Sequence, residues 1–556
     1  MTRSTPKLLI ALSIALIVCG LTITSNAQQI QSASEQSGFA EYTSHEDLLD
    51  YMQKIQAAST EMLLSDFGAT IEGRIQPFAV FSRPLVTQPW EAIASGKPIV
   101  ALAGNVHGGE KTLRESLLLL TREFATPGTE ANKLLDDIIV IIVPSINPDG
   151  FVRSSRGNSQ GVDMNRDYIK LEQPALYNYV HNIALLWHPH VAVDGHNGGS
   201  FPYNICYQGP SNAATDQRIT EMCDFEIFPF IDEKMEDDGY RSFYYSGGNE
   251  TRWSGGGSDP RIGRNYLGLT NTVGILFESP GGQDREIGAK SGAVAYLAVC
   301  QYTAAEADAI LNLVNRARRE TIEMGQNAVG DIPVQMDYVP QDFKVSYQIA
   351  QGRGEDRTLI DVTDADLMTK PNVTKSRPRP YAYILEPRAH KSIDMLKRHR
   401  ILVEVLTEDI ELDVEAYQAA SISRRSEYDH PAAVTLTVDD ETLKRTQTFP
   451  AGSFVIRTGQ VMGRVVAHML EPETNDNVIR WNTMDAILPR VPTPEQLVQQ
   501  QEQAAQRAQQ QTTQQAQQRA GMPQRGRQRG GAREPLVPIF KLMTPTKLPT
   551  MILKYE

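Results

Sequence analysis

Cysteine is scarce in this sequence and excess positive charge is absent, and each of these features excludes a class of function. The chain has 556 residues but only four cysteines, and no two of them have zinc-ribbon spacing. Its formal net charge is -13, so it lacks the basic field with which nucleic-acid-binding proteins attract phosphates. The glycine cluster at 255–257 is not followed by the Lys-Ser or Lys-Thr pair of a phosphate-binding loop. We therefore expect no nucleic-acid partner.

Long apolar runs are also absent, apart from residues 8–23. This run follows Arg3 and Lys7 and precedes Ser25, Asn26 and Ala27, which is the pattern of a signal peptide cleaved after Ala27. It is short for a transmembrane helix, which needs about 20 apolar residues. The sequence therefore predicts a signal peptide at 1–27, no membrane span, and an exported protein that is periplasmic or extracellular.

The few cysteines leave two questions open. Cys19 could carry a lipid anchor, although the bulk of the adjacent Val18 disfavours lipoprotein processing. Export would permit one disulfide, for which Cys206 and Cys223 are candidates, with Cys300 then left as a thiol. Spacing alone does not fix the pairing.

The length and the 41% hydrophobic content predict two packed domains. Residues 44–326 alternate helix-like stretches with short apolar runs at 137–144, 191–194 and 273–278. Runs without polar alternation are typical of strands buried on both faces. We predict an α/β domain with a mixed, mostly parallel sheet flanked by helices, closed by a long helix over 293–324.

The second half of the chain has a different composition. Residues 331–492 contain short runs rich in Val, Ile, Thr and Tyr, which predict a smaller β-rich accessory domain. Residues 493–535 are Gln- and Ala-rich, then Gly- and Arg-rich, and we expect them to be a disordered linker. The apolar tail at 536–556 is expected to dock on a folded domain, because exposed it would promote aggregation.

A metal-ligand set emerges from two strand ends. His107 and Glu110 lie between the apolar run 98–104 and a helix-like stretch at 111–124, and His196 follows the run at 191–194. Two imidazoles and one carboxylate are the ligand set of a hydrolytic zinc site that keeps a position open for water. We predict one Zn²⁺ held by these three residues.

Candidates for the remaining catalytic tasks are also present. Glu278 ends the apolar run 273–278, where partial desolvation would suit a general base, although a surface carboxylate is the alternative interpretation. Asn165 and Arg166 supply an amide and a planar fork of donors that suits a carboxylate. Asp194 could orient an imidazole of the site or serve as an ordinary capping residue.

These motifs, in this order, resemble the zinc carboxypeptidases of the carboxypeptidase A type over roughly residues 44–326. The motifs are His107-x-x-Glu110, Asn147-Pro148-Asp149-Gly150, Arg156, Asn165-Arg166, His196 and Glu278. The resemblance implies a mixed eight-stranded sheet and one catalytic zinc. It also implies that Arg156 polarises the scissile carbonyl, that Asn165 and Arg166 hold the terminal carboxylate of the substrate, and that Glu278 activates water.

Substrate recognition is less determined. Members of this family commonly use a mobile tyrosine, for which Tyr244, Tyr245 and Tyr266 compete, and Tyr266 is our assignment. Asp259 could favour basic side chains, but its place beside Pro260 is typical of an ordinary turn.

The sequence predicts an exported zinc metallocarboxypeptidase that acts on peptides with a free C-terminus. Two alternatives remain. The same scaffold could serve a zinc amidase or deacylase acting on cell-wall peptides or acylated amino acids, or a peptide-binding protein without catalysis.

Overall fold

The structure is a computed structural model that describes residues 26–352, 357–427, 430–493, 495–499, 502–503 and 534–554. The predicted signal peptide, up to residue 25, and most of the predicted disordered linker lie outside the described residues. Within the described ranges, no helix is both long enough and apolar enough to cross a membrane.

The strands are, in chain order, β1 (Met62–Ala69), β2 (Ile75–Phe81), β3 (Ile99–Gly104), β4 (Ile139–Val143), β5 (Val191–Gly199), β6 (Ile205–Gln208), β7 (Ser242–Tyr244), β8 (Gly247–Gly248), β9 (Arg252–Ser254), β10 (Val273–Pro280), β11 (Asp331–Val339), β12 (Lys344–Gln351), β13 (Thr358–Met368), β14 (Lys370–Pro378), β15 (Ala382–Leu385), β16 (Glu404–Leu406), β17 (Ile410–Glu427), β18 (His430–Val438), β19 (Leu443–Phe449), β20 (Phe454–Arg457), β21 (Leu536–Leu542) and β22 (Thr550–Ile552).

The α-helices are α1 (Ala33–Gln36), α2 (His45–Ala57), α3 (Pro89–Ala94), α4 (Thr112–Ala125), α5 (Glu130–Lys133), α6 (Pro148–Arg153), α7 (Pro174–Tyr179), α8 (Gln217–Met222), α9 (Phe228–Asp237), α10 (Gly263–Leu269), α11 (Arg285–Ala305), α12 (Ala307–Gln326), α13 (His390–Lys397) and α14 (Gly463–Leu470). Short 3-10 turns lie at Asn26–Gln29, Leu134–Asp136 and Met164–Arg166, and π-helical turns lie at Val180–Ala184 and Cys223–Ile227.

A sheet of eight strands, in the order β1-β2-β4-β3-β5-β10-β6-β7, forms the centre of the N-terminal half. The neighbours from β4 through β3 and β5 to β10 are parallel, whereas β1-β2, β2-β4 and β10-β6 are antiparallel. Successive residues of β3 enter different cores, with Val100 and Leu102 in one and Ala101 and Ala103 in the other. Both faces are therefore buried, and the prediction of a mixed, mostly parallel sheet between helices is confirmed.

The long helix predicted over 293–324 is wrong as a single element. Two helices, α11 and α12, cover this stretch, and they meet at Glu306. The backbone of Glu306 has φ -110° and ψ 32°, which is outside the helical region and separates the two helices.

The expected boundary near residue 331 does not separate two cores in the structure. Strand β13 pairs with β9 of the N-terminal half, and the rings of Trp253 and Tyr347 pack 4.9 Å apart. One apolar cluster also contains Tyr266 together with Leu396 and Ile539. The two halves therefore share a small sheet and also pack together in one apolar cluster.

A second sheet of eight strands follows the order β18-β17-β21-β15-β20-β16-β22, with β19 paired to β17. Strand β21, which comes from the apolar tail, lies between β17 and β15. From it, Lys541 reaches the Glu471 carboxylate at 2.8 Å and the Tyr417 hydroxyl at 3.3 Å, and the side chains of both Lys541 and Glu471 are almost fully buried. The tail therefore contributes both a central strand and a buried charge.

The disulfide considered between Cys206 and Cys223 is wrong, because both residues are free thiols in the structure, as is Cys300. All three are buried. Cys206 instead accepts a hydrogen bond from the Ser200 amide at 3.3 Å.

The buried Lys541–Glu471 pair generates a stability prediction. Lys541→Met should lower the free energy of unfolding by about 3 kcal/mol, because it leaves the Glu471 carboxylate buried without its cation. Urea denaturation measures this loss. The control is Lys344→Met, which removes the half-exposed Lys344–Asp366 pair and should leave the unfolding midpoint close to that of the parent. Equal effects of the two variants would contradict the assignment of Lys541 as a structural charge.

Candidate active site

Three side chains that the sequence predicts as metal ligands meet at the carboxyl edge of the central sheet. His107 and Glu110 lie in the turn between β3 and α4, and His196 lies on β5, the strand next to β3. The ligand atoms of the three residues all lie within 4.8 Å of one another. Nδ1 of His107 is 2.9 Å from one Glu110 oxygen, and Nδ1 of His196 is 2.9 Å from the other.

The turn that carries His107 and Glu110 is held by two asparagines. Nδ2 of Asn105 lies 3.0 Å from the His107 carbonyl oxygen and 2.9 Å from that of Glu110. Asn147 caps helix α6 by accepting from the Gly150 amide at 2.9 Å, and its Nδ2 donates to the Val106 carbonyl at 3.0 Å. The Asn-Pro-Asp-Gly motif thus holds the turn in place through the side chain of Asn147.

Glycine is required where the turn after His107 packs against helix α6 and where α6 packs against the loop that follows it. A Cβ placed on Gly108 would lie 2.0 Å from the Gly150 carbonyl carbon, and one on Gly150 would lie 2.4 Å from the Gly157 carbonyl oxygen. No side chain fits such a gap. The backbone after His107 can therefore pass close enough to α6 to aim Glu110 back at the histidines.

The second nitrogen of each imidazole faces a carboxylate. Nε2 of His107 is 3.0 Å from Asp163, and Nε2 of His196 is 3.0 Å from Asp194. Such a pairing fixes the orientation and the tautomer of a metal-binding histidine, and it leaves Nδ1 of both rings facing Glu110. The capping alternative for Asp194 is not what the structure contains.

The charges around the cluster favour a cation. Burial alone would raise the pKa of Glu110, but hydrogen bonds from His107 and His196 outweigh it and hold the pKa well below its usual value. Burial lowers the pKa of the His196 imidazole, but the Asp194 and Glu110 carboxylates outweigh it and raise that pKa well above its usual value. The carboxylates around the two imidazoles would also attract a divalent metal, and the donor set matches Zn²⁺.

Glu278 lies on β10 directly opposite His196 of β5. Burial raises the pKa of its carboxyl to about 7, with the neighbouring Glu110 and Asp194 acting in the same direction and the two histidines opposing it. Its carboxylate rests over Gly198, where a Cβ would lie 2.7 Å from the Glu278 oxygen. A carboxyl with a pKa near neutrality, beside a metal cluster but outside its ligand set, has the properties of a general base.

Arg156 extends over the cluster from the loop after α6. Its Nε donates to Asp163 at 3.0 Å, and another guanidinium nitrogen lies 3.3 Å from Glu110. The side chain remains 54% exposed, so a donor face is open to a ligand in the cleft. The position agrees with a role beside the metal.

Asn165 and Arg166 follow Asp163 in the same short turn. Asn165 is buried, with its Oδ1 accepting from the Gly263 amide at 2.9 Å and its Nδ2 3.3 Å from Nε2 of His196. Arg166 is half-buried, and its guanidinium donates to the Asn165 carbonyl at 2.7 Å. Of the two, Arg166 has the more accessible side chain.

The assignment of Tyr266 to substrate binding is wrong. Its side chain is fully buried, and its hydroxyl lies 2.8 Å from Nδ1 of His399 in the core shared with the C-terminal half. Tyr244 is buried as well. Tyr245 is half-buried, and burial, with the Glu278 carboxylate acting in the same direction, raises the pKa of its hydroxyl.

Sequence reasoning missed Asn105 and Asp163. Asp163 lies inside the motif that contains Asn165 and Arg166, two residues before the asparagine, and a carboxylate close to an arginine was the available signal. Asn105 precedes His107 by two residues and has φ 60°, a backbone conformation that asparagine tolerates better than most residues.

Comparisons with known proteins show what this chain is similar to. Residues 48–223 match a family model described as zinc carboxypeptidase. Carboxypeptidase 2 of Trichophyton tonsurans is 26% identical over 496 residues, which cover 83% of this chain and 89% of that protein. Carboxypeptidase E of Caenorhabditis elegans is 35% identical over 125 residues, which cover 20% of this chain and 25% of that protein. A metallo-carboxypeptidase structure from Burkholderia cenocepacia has a TM-score of 0.37 and 20% identity, covering 46% of this chain and 68% of that chain.

The imidazole–carboxylate pairs generate a metal-binding prediction. The parent should bind one Zn²⁺, and His196→Ala should abolish tight binding because it removes a ligand. Asp194→Asn should weaken binding by about 10- to 100-fold, because the ligand ring loses its anionic partner. Competition with a chromophoric chelator measures both affinities. Asp232→Asn is the control, since Asp232 binds Tyr207 and Ser242 instead. Unchanged affinity in His196→Ala would show that the ligand set is misassigned.

Proposed function

We propose that this chain, a peptide hydrolase in which residues 48–223 match a zinc carboxypeptidase family model, is an exported zinc-dependent metallocarboxypeptidase. It would remove residues from the C-terminus of peptides. His107, Glu110 and His196 would hold one Zn²⁺ per chain. The observation that carries the proposal is the convergence of these three donors with Glu278, a base of raised pKa, at one sheet edge.

Zn²⁺ bound there supplies Lewis-acid chemistry, which polarises a peptide carbonyl and makes water more acidic. Glu278 would take a proton from the attacking water, since its carboxyl has a pKa near 7 and is paired with no cation within ion-pair distance among the described residues. The same carboxyl would then deliver the proton to the departing amine. One residue thereby acts first as base and then as acid.

Arg156 would stabilise the negative charge that develops on the carbonyl oxygen. Its guanidinium is anchored on one side by Asp163, and its other donors remain accessible. A donor fixed before the reaction requires no reorganisation as charge develops, which is the main advantage of such groups.

Arg166 would bind the terminal carboxylate of the substrate, with Asn165 beside it. One guanidinium nitrogen of Arg166 is fixed on the Asn165 carbonyl, which holds the planar fork at the edge of the cluster. A fork of donors matches two carboxylate oxygens, so a free C-terminus would be the recognised group. Tyr245 would take the place that we first gave to Tyr266, since Tyr244 and Tyr266 are buried, and partial burial together with the Glu278 carboxylate raises the pKa of the Tyr245 hydroxyl.

Export is supported by the N-terminal sequence alone. The basic residues Arg3 and Lys7, the apolar run at 8–23 and the small residues that end at Ala27 have the order of a signal peptide. A periplasmic location follows if the source is a Gram-negative bacterium, and an extracellular one otherwise. The substrates would then be peptides outside the cytoplasm.

The role of Glu278 is tested by Glu278→Gln, which keeps the size and removes the base. Turnover should fall about 10²-fold or more, while zinc content stays at one per chain. Steady-state peptide hydrolysis and metal analysis measure the two quantities. Glu61→Gln is the control, because Glu61 pairs with Arg83 beside β1, an outer strand of the sheet that does not neighbour β5 or β10. Turnover of Glu278→Gln near that of the parent would remove Glu278 from the mechanism.

The role of Arg166 is tested by blocking the C-terminus. Peptides with a C-terminal amide should be cleaved at least about 10²-fold more slowly than the free acids, since the amide leaves the guanidinium poorly paired. Arg166→Ala should shrink this difference. Arg153→Ala, which removes an exposed arginine that pairs with Glu72, should leave it unchanged.

The cleavage position decides between the carboxypeptidase and its alternative. Mass spectrometry of digested peptides should show loss of single C-terminal residues. Cuts well inside the chain, or equal cleavage of amidated and free peptides, would favour an amidase that acts away from the terminus.

A further inference from the structure

Arg264, on helix α10, is a buried cation without a counter-charge. One nitrogen of its guanidinium donates to the Gly257 carbonyl at 2.6 Å and lies 3.4 Å from the Ser211 hydroxyl. Its Nε has no partner, and no carboxylate in the described part of the chain lies within ion-pair distance. A buried charge is costly when it is unpaired, so the missing anion calls for an explanation.

Another buried arginine shows that this feature alone is not enough. Arg318, on α12, also lacks a carboxylate partner in the described ranges and donates to the Pro189 carbonyl at 3.0 Å. Carbonyl groups can therefore satisfy a structural arginine in this fold. Arg264 differs in what surrounds it.

Helix α10 begins against the residues that support the metal cluster. The Gly263 amide donates to Asn165, and a Cβ on Gly263 would lie 2.6 Å from the Asp194 carboxylate. Burial lowers the pKa of the Arg264 guanidinium, the nearby Glu278 carboxylate acts against this, and the positive charge of Arg166 adds to it. Arg264 therefore lies within electrostatic reach of both the base and the carboxylate-binding arginine.

The loop that Arg264 holds, Gly255 to Gly257, also contacts a second unpartnered donor. Gln208 accepts from the Gly256 amide at 2.8 Å, which leaves its buried Nε2 without a partner. A Cβ on Gly256 would lie 2.8 Å from the Tyr245 ring. Unpaired donors on Arg264 and Gln208 thus lie against one loop, next to the tyrosine of the site.

We propose that Arg264, assisted by Gln208, forms the floor of the pocket for the C-terminal side chain and selects glutamate or aspartate there. The inference rests on the proposed function. A terminal residue with an acidic side chain carries two carboxylates, one for Arg166 and one for Arg264. Such a residue neutralises two cations that otherwise repel each other in a partly dry cleft.

Asp259, the acidic residue that could have selected basic side chains, already has partners on both carboxylate oxygens. Asp259 pairs with Arg261 at 2.8 Å and accepts from Asn475 at 3.0 Å. Both of its oxygens are engaged in holding the loop to the C-terminal half. Asp259 therefore offers no free carboxylate oxygen to a basic side chain.

The test uses four peptides that differ only in the last residue, which is Glu, Gln, Leu or Lys. The parent should release Glu with a kcat/KM at least about 50-fold above that for Gln, because the neutral amide leaves the cation unpaired. Arg264→Met should reduce release of Glu to the level of Gln while release of Leu is maintained or increased. Arg318→Met, the matched control, should keep the parent's ratio.

The parent alone decides the matter if Arg264→Met fails to fold, as judged by its zinc content and thermal unfolding. Release of Gln or Lys at least as fast as Glu by the parent would overturn acidic selection and leave the carboxypeptidase function intact. A preference for Glu that persists in a folded Arg264→Met variant would overturn the role of Arg264. Failure to release a terminal residue from any of the four peptides would instead contradict the proposed function itself.

Discussion

The parallel alignment of β3, β5 and β10 is the constraint on which the site depends. Gly104 of β3 pairs with Gly195 of β5, and His196 of β5 pairs with Glu278 of β10. Parallel neighbours end at the same edge of a sheet, so side chains far apart in sequence arrive together without long loops. A shift of one residue between two of these strands would turn either the imidazole or the carboxylate to the other face.

The site also concentrates several carboxylates in a largely buried environment. Glu110, Asp163 and Asp194 surround two imidazoles, while Glu278 lies close by and largely buried. So many carboxylates near each other are stable only when positive charge lies among them, and the structure meets this need with the histidines and Arg156. The strong perturbation of the pKa values is thus a result of the same crowding that makes the pocket suited to a metal.

The sequence pointed to the candidate metal ligands and Glu278 because each follows or ends an apolar run, and such runs are visible in hydropathy; the structure brings the three candidate ligands together. It did not show that Tyr244 and Tyr266 are buried, since Tyr266 hydrogen-bonds His399 far along the chain and Tyr244 hydrogen-bonds Asp224. The break at Glu306 and the strand pairing across residue 331 were not predicted for a related reason. Both are decided by tertiary contacts that local periodicity does not record.

The position of strand β21 determines when the second sheet can be completed during synthesis. Its neighbours β15 and β17 are synthesised long before it, yet it lies between them. Until residues 536–542 have left the ribosome, both neighbours expose unpaired backbone groups, and the buried Glu471 lacks its lysine. The core that includes Ile539 also includes residues that pack beneath the catalytic half. This sheet is therefore completed only after residues 536–542 have been synthesised, well after its other long strands.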